Sequence, residues 1–547
     1  MTDIEIESLG STIDHDSCVD SIDLKARHTN TLGSVQLRNP ITNDIILVPT
    51  PSKDPNDPLN WSRSYRVYIA IISCAAIFMA QFLAAGPSVD MIAIIHDLFG
   101  LTSTDPGFSS ALSKMSYAFS GTSLAQGMSN LFYMPLIIKY GRRPIYIISF
   151  AIYGGCALWA GLAGTYEQEL AARLIMGFAG GSAECLAPLT IADIFFLHER
   201  GRMMSYYAAA LSCGVSGGII LSGLITIHQS WRVIYYVAAG MIWALVILIT
   251  FTMPETAYQR TYPDIADLTE ETEADPSKVQ VSHAETGIPD KKTYAESMRL
   301  FNPKFTDESL LTLFWRPVPV LFLPSVMWGT LCMSVCIGTF VAVVSNYATA
   351  FTNTYGWSTW QCGMAYVAAL IGAFVGVYGG GWLSDKVADF LTQRRDGMRE
   401  PEMRLPTMTL SLILCPLSLV LYGVGIQNSL HWIVPVLGLG LLGFVITQVS
   451  NIAIVYAVDA HRPIAGEVVV SQLSFKAAFG FLLSFYTNPW IDSAGYINSF
   501  GALAGICAAI LILWIPLFFW GKQIRVWSLG LRIMKGVRWG EDREVGE

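Results

Sequence analysis

Long apolar runs dominate the chain from residue 66 onward. Each run has about twenty residues or more, the length that an α-helix needs to cross the hydrocarbon core of a bilayer. Six such runs precede a polar stretch and six follow it, so the pattern predicts an all-α, polytopic membrane protein with twelve transmembrane helices in two six-helix halves. The predicted spans are 66–87, 108–135, 144–164, 169–196, 203–227, 231–253, 317–346, 360–383, 407–426, 431–457, 467–490 and 497–520.

The same pattern divides the chain into five segments. The six-helix halves occupy 66–253 and 317–521, and a polar linker, 254–316, joins them. The terminal segments, 1–65 and 522–547, are polar, and we expect the first to be largely disordered. It has neither a basic region nor an apolar core of the kind found in cleavable signal peptides, so the first span is expected to act as the signal.

A short basic turn joins the second and third predicted helices. It reads Lys139-Tyr140-Gly141-Arg142-Arg143-Pro144, in which glycine permits a tight reversal and proline suits the first turn of the next helix. A related stretch, Gly380 to Lys386 with Asp385, recurs in the second half. The repetition predicts two similar halves.

Composition supports the membrane assignment and narrows the function. Hydrophobic residues make up 53% of the chain and charged residues only 14%, against about 25% in soluble domains. The net charge of −8 is contributed largely by the N-terminal tail and the stretch 264–275, so nucleic acid is not an expected partner. The sequence has no phosphate-binding loop, metal-ligand cluster or nucleophile elbow. We therefore expect neither an enzyme nor a cofactor, and an ion gradient as the energy source.

Lysine and arginine in the short loops predict the orientation. With the N-terminus inside, the inner loops carry most of the cations, whereas the outer loops carry Asp90, Asp97, Asp105, Glu167, Glu169 and Asp492 with Arg232 as the clear exception. Both termini are therefore expected in the cytoplasm. The plasma membrane is the expected location, and the vacuolar membrane is the alternative.

Several motifs resemble those of a known family. Gly141-Arg142-Arg143-Pro144 and Gly381-Trp382-Leu383-Ser384-Asp385-Lys386 match the two ends of the loop 2–3 signature of the major facilitator superfamily, G-x-L-a-D-r-x-G-r-k. Within 54–525 the chain is more specifically similar to the fungal twelve-spanner drug:proton antiporters. The motifs that carry this similarity are Asp57 to Trp61, Arg173 to Glu184, Ala192 to Arg202, Pro254-Glu255-Thr256 and Pro401 to Leu405.

The resemblance implies a secondary transporter that works by alternating access, with a small organic solute, protons and the lipid bilayer as partners, and a monomer. Efflux of a drug, toxin or secondary metabolite is the expected function. Uptake of polyamines, cations or another nutrient is the alternative, because the antiporter signature of helix 5 usually contains a Gly-Pro step. Here that helix carries Gly214, Gly217, Gly218 and Gly223 without a proline. A membrane sensor that does not transport is an alternative of another class.

Charged residues inside the spans are the candidates for substrate and proton binding, because each costs about 2.5–3.5 kcal/mol at a helix centre. They are Glu184, Arg173, Lys476 and Lys114. Glu184 is expected to bind a cationic group or exchange a proton, with a structural hydrogen bond as the alternative. Lys476 has a static ion pair as its alternative, and Lys114 can reach the interface through its flexible stem.

The remaining candidates lie at the inner ends of the helices, where we expect them to form the cytoplasmic gate. They are Lys139, Gly141, Arg142, Arg143, Asp193, Arg200, Arg202, Asp385, Lys386, Asp459 and Arg462. The glycines of helix 5 are expected to allow a close approach to another helix.

Overall fold

The computed structural model describes residues 52, 54–102, 105–258, 291–300, 304–306, 308–394, 400–461 and 464–529. Within these ranges the chain forms helices and no strand, which confirms the predicted all-α class. Most of the predicted N-terminal tail, the acidic stretch 264–275 and Arg462 lie outside the described residues.

Twelve long helices can be followed through the described part of the chain. Those of the first half are α1 (Arg63–Ala85), α2 (Phe108–Tyr140), α3 (Arg143–Leu162), α4 (Tyr166–Gly180 continued by Ser182–Ile194), α5 (Leu197–Ile225) and α6 (Arg232–Thr252). Those of the second half are α7 (Pro324–Tyr355), α8 (Thr359–Tyr378), α9 (Met408–Gln427), α10 (Ile433–Ala460), α11 (465–494) and α12 (496–511, followed by Trp514–Leu529).

The boundary between α11 and α12 is a reversal at Gly495, with helix on both sides of it. The run Gly466–Ser528 has 63 residues, which at about 1.5 Å per residue is roughly three times the thickness of the hydrocarbon core. The backbone leaves the helical region at Gly495, with φ 80° and ψ 166°. The side-chain oxygen of Gln427 accepts a hydrogen bond from the Ile497 N–H at 2.7 Å and so fixes the return. The run therefore crosses twice.

Ten helical runs are apolar and long enough to span a membrane, and the double run just described is one of them. Helix α2 lies outside this set because serines recur along its 33 residues and lower its hydropathy. The twelve crossings therefore consist of nine single runs, the double run and α2.

Three helices show why the observed extents differ from the predicted spans. The first span continues past residue 87 through a short 3-10 segment, Gly86–Asp90, into Met91–Phe99, because Pro87 stands at the start of that segment, where no donor is lost. Helix α7 begins at Pro324 rather than 317, since two prolines divide the preceding residues into short helices. Helix α8 continues through a π-helical turn, Gly379–Leu383, into Ser384–Gln393.

The two halves meet along α2 with α11 and along α5 with α8. A Cβ on Gly127 of α2 would lie 1.9 Å from that of Ala477 on α11, and one on Gly223 of α5 would lie 3.3 Å from the Gly363 Cα on α8. A side chain at Gly127 would clash with Ala477, and one at Gly223 would press tightly against the backbone of α8. The halves are therefore in direct backbone contact on both sides of the molecular centre.

The glycines of α5 serve two different contacts. A Cβ on Gly214 would lie 2.7 Å from the Phe78 carbonyl oxygen, and one on Gly218 would lie 3.0 Å from the Phe82 Cα, both on α1. Gly223 instead faces α8 of the other half. A Cβ added to Gly217 would have only ring atoms of Phe78 within 4 Å. Small residues thus let α5 pack closely against a helix of its own half and a helix of the other half.

Candidate functional site

An internal cavity of about 150 Å³ lies between the two halves. Helices α1, α2, α4 and α5 of the first half line it, together with α7, α8, α10 and α11 of the second. Of the described residues that line it, Glu184 and Lys476 are the two that carry a charge. The cavity is therefore the place where chemistry can act on a solute from both halves.

The two walls of this cavity differ in polarity. Serines and glutamines are frequent on the first-half wall, whereas aliphatic and aromatic side chains predominate on the second-half wall. The polar group comprises Gln81, Ser88, Ser116, Ser120, Ser123, Gln126, Ser212 and Ser216; the apolar group comprises Ile337, Phe340, Val341, Val344, Ile446 and Phe481. A solute in this cavity would thus meet hydrogen-bonding groups on one side and apolar surface on the other.

Glu184 is 4% exposed and is held by three amide donors from two helices, α1 and α2. Its Oε1 accepts hydrogen bonds from the amide nitrogens of Gln81 at 3.0 Å and Gln126 at 3.2 Å. Its Oε2 accepts from the amide nitrogen of Asn130 at 3.2 Å. The three amides therefore supply hydrogen bonds to both oxygens of a buried carboxylate group.

Lys476 provides the positive charge opposite Glu184. Its Nζ lies 3.4 Å from Oε1 of Glu184, and the two side chains are 8% and 5% exposed. The residues are 292 positions apart in sequence and belong to different halves. A buried ion pair is stable only while both partners remain, so this contact links the two halves electrostatically.

Close helix packing brings the Glu184 carboxylate to its donors. A Cβ on Gly177 of α4 would lie 2.3 Å from the Thr122 carbonyl oxygen of α2, and one on Gly181 would lie 2.2 Å from that of Gln126. The glycines before Glu184 therefore allow α4 to touch α2. The hydroxyl of Tyr207 donates to the backbone carbonyl of Glu184 at 3.2 Å and holds the same turn from α5.

Arg173 lies on the same helix but outside the residues that line the cavity. Its Nε donates to Oε1 of Glu169, one helical turn earlier, at 2.8 Å, and both side chains are fully buried. The hydroxyl of Tyr235 donates to the same carboxylate oxygen at 2.7 Å and also contacts the guanidinium. The guanidinium carbon stands 3.7 Å from the ring centroid of Phe119, which does line the cavity. The contacts of Arg173 thus stay within the first half.

Lys114, the fourth charged candidate, is exposed on α2. Its backbone carbonyl accepts a hydrogen bond from the Tyr166 hydroxyl at 3.0 Å. The residue does not line the cavity. The structure therefore brings Glu184 and Lys476 together and places Arg173 and Lys114 elsewhere.

The candidate gate residues of the first half surround the turn between α2 and α3, at what we call the basic end of the bundle. The guanidinium of Arg142 forms an ion pair with Asp193 at 2.9 Å, and both side chains are at least nine-tenths buried. The carboxylate of Glu255 accepts the backbone N–H groups of Arg142 and Arg143 at 2.8 and 3.2 Å. Gly141, with φ 91° and ψ 178°, leaves room for this carboxylate.

The other cations of this end bind backbone carbonyls or a tyrosine. Arg143 donates to the carbonyls of Met253 and Thr250 at 2.8 and 2.7 Å. The remaining donors pair as follows: Lys139 with the Glu308 carbonyl at 3.0 Å, Arg200 with the Ala192 carbonyl at 2.7 Å and Arg202 with the Tyr206 hydroxyl at 3.2 Å. Such contacts cap helix ends and fasten the linker to the first half.

In the second half, Arg404 connects two of the candidate carboxylates. Its guanidinium lies 2.8 Å from Asp385 and 3.6 Å from Asp459. The Lys386 ammonium stands 3.7 Å from the ring centroid of Trp382, a cation–π contact. The basic end of each half therefore carries its own carboxylate–arginine cluster.

Comparison with known proteins decides the family. A family model described as Major Facilitator Superfamily matches residues 69–468. The chain belongs to the major facilitator superfamily. The resemblance to this superfamily, inferred from the loop 2–3 motifs, is thereby confirmed.

The similar curated proteins are fungal facilitators. An uncharacterized MFS-type transporter of Schizosaccharomyces pombe is 26% identical over 540 residues, covering 89% of each chain. Protein HOL1 of Saccharomyces cerevisiae is 24% identical, covering 88% of this chain and 91% of its own. Efflux pump FUB11 of Gibberella fujikuroi is 25% identical, covering 72% of this chain and 66% of its own.

A solved facilitator structure shares the fold. The proton:xylose symporter XylE, bound to 6-bromo-6-deoxy-D-glucose, matches with a TM-score of 0.58 and 14% sequence identity. The match covers 84% of this chain and 96% of that chain. At this identity the likeness shows the major facilitator fold and nothing about the solute.

The candidate site of this facilitator contains residues that the sequence reasoning did not single out. Gln81, Gln126 and Asn130 were not among the candidates, because only charged residues inside the spans were considered. A side-chain amide inside an apolar run nevertheless indicates a polar contact, because in hydrocarbon it needs a hydrogen-bond partner. Glu255 and Arg404 were noticed only as parts of family motifs, and their contacts depend on the tertiary structure.

Proposed function

We propose that this facilitator is a proton-coupled secondary active transporter that exports a small organic solute by alternating access. The observation that carries the proposal is the contact between Glu184 of the first half and Lys476 of the second, inside the cavity. A carboxylate that can exchange a proton and an ammonium from the opposite half provide a direct connection between protonation and the relative position of the halves.

The coupling follows from the charge on Glu184. Ionised, it attracts the Lys476 ammonium and accepts three amide hydrogen bonds. Protonated, it loses the coulombic attraction to Lys476, and one oxygen becomes a donor. The halves are then released to reorient, and the freed ammonium and amides can bind polar groups of a solute. A proton and a solute thus act on the same contact.

Direction and orientation are further parts of the proposal. Export is supported by FUB11, a relative whose name is efflux pump. The basic end faces the cytoplasm because positively charged short loops stay inside, so both termini are cytoplasmic. The plasma membrane is the proposed location, and the monomer, which contains both walls of the cavity, is the proposed working unit.

Glu184→Gln tests the coupling, because the amide keeps the shape of the carboxyl group and cannot exchange a proton. The full chain is reconstituted in proteoliposomes with a labelled solute selected by screening cationic, neutral and anionic compounds. We expect the variant to lose transport driven by a pH gradient and to retain solute exchange at equal pH. Glu167→Gln, at an exposed carboxylate, is the matched control. Unchanged gradient dependence in Glu184→Gln would remove Glu184 from the mechanism.

Cells with and without the protein separate export from the alternatives. An exporter lowers accumulation of the labelled solute, whereas an uptake permease raises it. A sensor would bind the solute and give no exchange in proteoliposomes. Accumulation that rises with expression would therefore overturn the proposed direction while leaving the transporter assignment intact.

A further inference from the structure

The first span ends in a buried carboxylate that the coupling at Glu184 does not use. Asp90 is the last residue of the 3-10 segment Gly86–Asp90, which interrupts the span after α1, and it is 7% exposed. This segment packs against α5 of its own half and against α7 and α8 of the other half. Asp90 therefore lies in the contact between the halves, at the end of the bundle opposite the basic end, which we call the far end.

Neutral groups surround Asp90. From α8, the hydroxyl of Thr359 is the polar group beside the carboxyl group. On α7, which packs against the segment, Tyr347 is a titratable neighbour of Asp90. The Tyr347 hydroxyl has no hydrogen-bond partner among the described residues. From α5, Gly218 and Ser222 pack against the start of the segment. Among the described residues, this contact thus gives Asp90 a neighbouring hydroxyl group and no positive charge.

The cations of the far end are occupied or distant from this contact. Arg232 is paired with Asp97 on the helix that follows Asp90. Lys114 is exposed on α2. Helix α2 contacts the other half through α11, whereas the Asp90 segment contacts it through α7 and α8. In the part of the chain that the structure describes, Asp90 has no ion pair, in contrast to Glu184.

An unpaired carboxylate in such a contact is costly when ionised. Removing an ionised group from water without a counter-charge costs several kcal/mol, whereas the protonated group needs only hydrogen bonds. Separation of the halves at the far end would expose Asp90 to water and restore the hydration of its charged form. Protonation and closure at this position are therefore linked.

We propose that Asp90 is a second proton-binding site, and that the proton it takes from the water at the far end closes that end of the transporter. The proton forms an O–H bond with the carboxylate as the halves close, and it returns to water as they open. This inference rests on the alternating access of the proposed function, but it concerns the far-end contact and not the coupling at Glu184.

Proton uptake by Asp90 would control one step of the transport cycle. After solute is released at the far end, the open form holds an ionised, hydrated Asp90, and closure requires a proton from that side. Acid on the far side therefore favours the closed state even when no solute is present. Because Glu184 lies in the central cavity and Asp90 in the far-end contact, the two carboxylates respond to protons at different steps.

A distance measurement between the halves tests the proposal without a solute. Spin labels are attached at Glu167→Cys and Asn428→Cys, exposed far-end positions in the first and second half, in a full chain whose native cysteines are replaced by alanine. Double electron–electron resonance is recorded between about pH 5 and about pH 8, a range across which buried carboxylates commonly titrate. We expect the longer distance to gain population as pH rises, by up to about tenfold per pH unit.

Asp90→Asn should abolish this pH dependence and keep the shorter distance dominant at every pH, because the amide cannot ionise. Asp90→Ser is a second neutral variant in case the amide does not fit beside Thr359, and size-exclusion chromatography verifies folding of both. Asp492→Asn, at an exposed far-end carboxylate, is the matched control and should behave as the parent protein does. A parent distance that ignores pH, or a pH response that survives in both Asp90 variants, overturns the proposal.

The outcome is independent of the test of the proposed function. If Glu184→Gln keeps its gradient dependence while Asp90→Asn loses the far-end response, the coupling proposal fails and the gate proposal stands. If Glu184→Gln loses its gradient dependence while Asp90→Asn opens with pH as the parent protein does, the gate proposal fails and the coupling proposal stands.

Discussion

The two halves end differently at the basic end, although related sequences occupy corresponding places. In the first half the chain reverses at Gly141, and the Arg142–Asp193 ion pair is buried, with side chains 7% and 8% exposed. In the second half the helix continues through Gly379–Leu383 without a reversal. Arg404, whose side chain is 14% exposed, meets Asp385 and Asp459 there, and their side chains are 44% and 21% exposed.

The difference shows that a repeated motif does not produce a repeated environment. Buried charges cost several kcal/mol if one partner is lost, whereas solvated pairs contribute little because water and salt replace the partner. We infer that the first-half cluster is a rigid structural lock and that the second-half cluster is the one that can exchange partners. Four measurements test this comparison.

Asp193→Ala should have the largest effect, a loss of about 3–5 kcal/mol in the free energy of unfolding, because it leaves the buried Arg142 guanidinium without its carboxylate. Denaturant titration of the purified protein in mixed micelles provides the measurement. The double variant Arg142→Met/Asp193→Leu should regain most of the loss, since neither charge remains buried. If the double variant is no more stable than Asp193→Ala, the loss of stability is not caused by the unpaired Arg142 charge.

His461, at the basic end of the second half, should make that half sensitive to acid. Burial, and secondarily the charge of Arg525, lowers the pKa of His461 from 6.5 to about 4. The unfolded chain binds the proton first as pH falls, so folded-state stability decreases from about pH 6.5 down to about pH 4, by up to about 3 kcal/mol.

The pH dependence of thermal unfolding measures this loss. His461→Gln should flatten the curve in that window while keeping a side chain that can reach the Ser325 hydroxyl, which lies 2.6 Å from Nε2 of His461. His228→Gln, at an exposed histidine, should leave the slope unchanged. An equally steep curve in His461→Gln would assign the acid sensitivity to other groups.

Gly141→Ala should cost about 1–3 kcal/mol, because a backbone with φ 91° and ψ 178° is open essentially to glycine alone. Its Cβ would also meet the Glu255 carboxylate, 2.3 Å away. Gly381→Ala in the second half should cost less, because its Cβ would meet only the rotatable Ser205 hydroxyl. The control is Gly155→Ala, where nothing lies within 4 Å of the added atom. Equal losses at Gly141 and Gly381 would contradict the comparison.

Arg404→Ala should have the smallest effect on stability, no more than about 1 kcal/mol, because Asp385 and Asp459 can be hydrated once the guanidinium is gone. The difference from the parent protein should shrink further at high salt. A loss as large as that of Asp193→Ala, or one that salt does not change, would mean that the second-half cluster is buried in the working protein.

Much of the fold follows from the sequence because the signals are local. A run of about twenty apolar residues predicts a crossing regardless of its neighbours, and the Gly141 turn was placed by its own residues. The bounds of α1 and α8 were underestimated because a 3-10 or π-helical turn interrupts the pattern without ending the helix. Glycine and proline mark the positions of these turns, but they do not show whether the helix continues beyond the turn.

The site could be predicted only in part. Glu184 and Lys476 were singled out separately because each is a charge in hydrocarbon, yet no periodicity joins positions 292 residues apart. Arg173 was selected by the same rule, and its partner Glu169 lay one helical turn away in a predicted outer loop. A charged residue in a span indicates that it has a polar or oppositely charged partner, but the sequence does not identify the helix that supplies this partner.

The amino-acid sequence by itself determined the class of protein, the number of crossings and the family, because these depend on local hydropathy and short motifs. The tertiary structure decided which buried charges meet across the halves, which stay within one half and which, like Asp90, have no counter-charge among the described residues. The physical reason is that helix formation is governed by neighbours in the chain, whereas the cost of a buried charge is set by groups that only packing brings close.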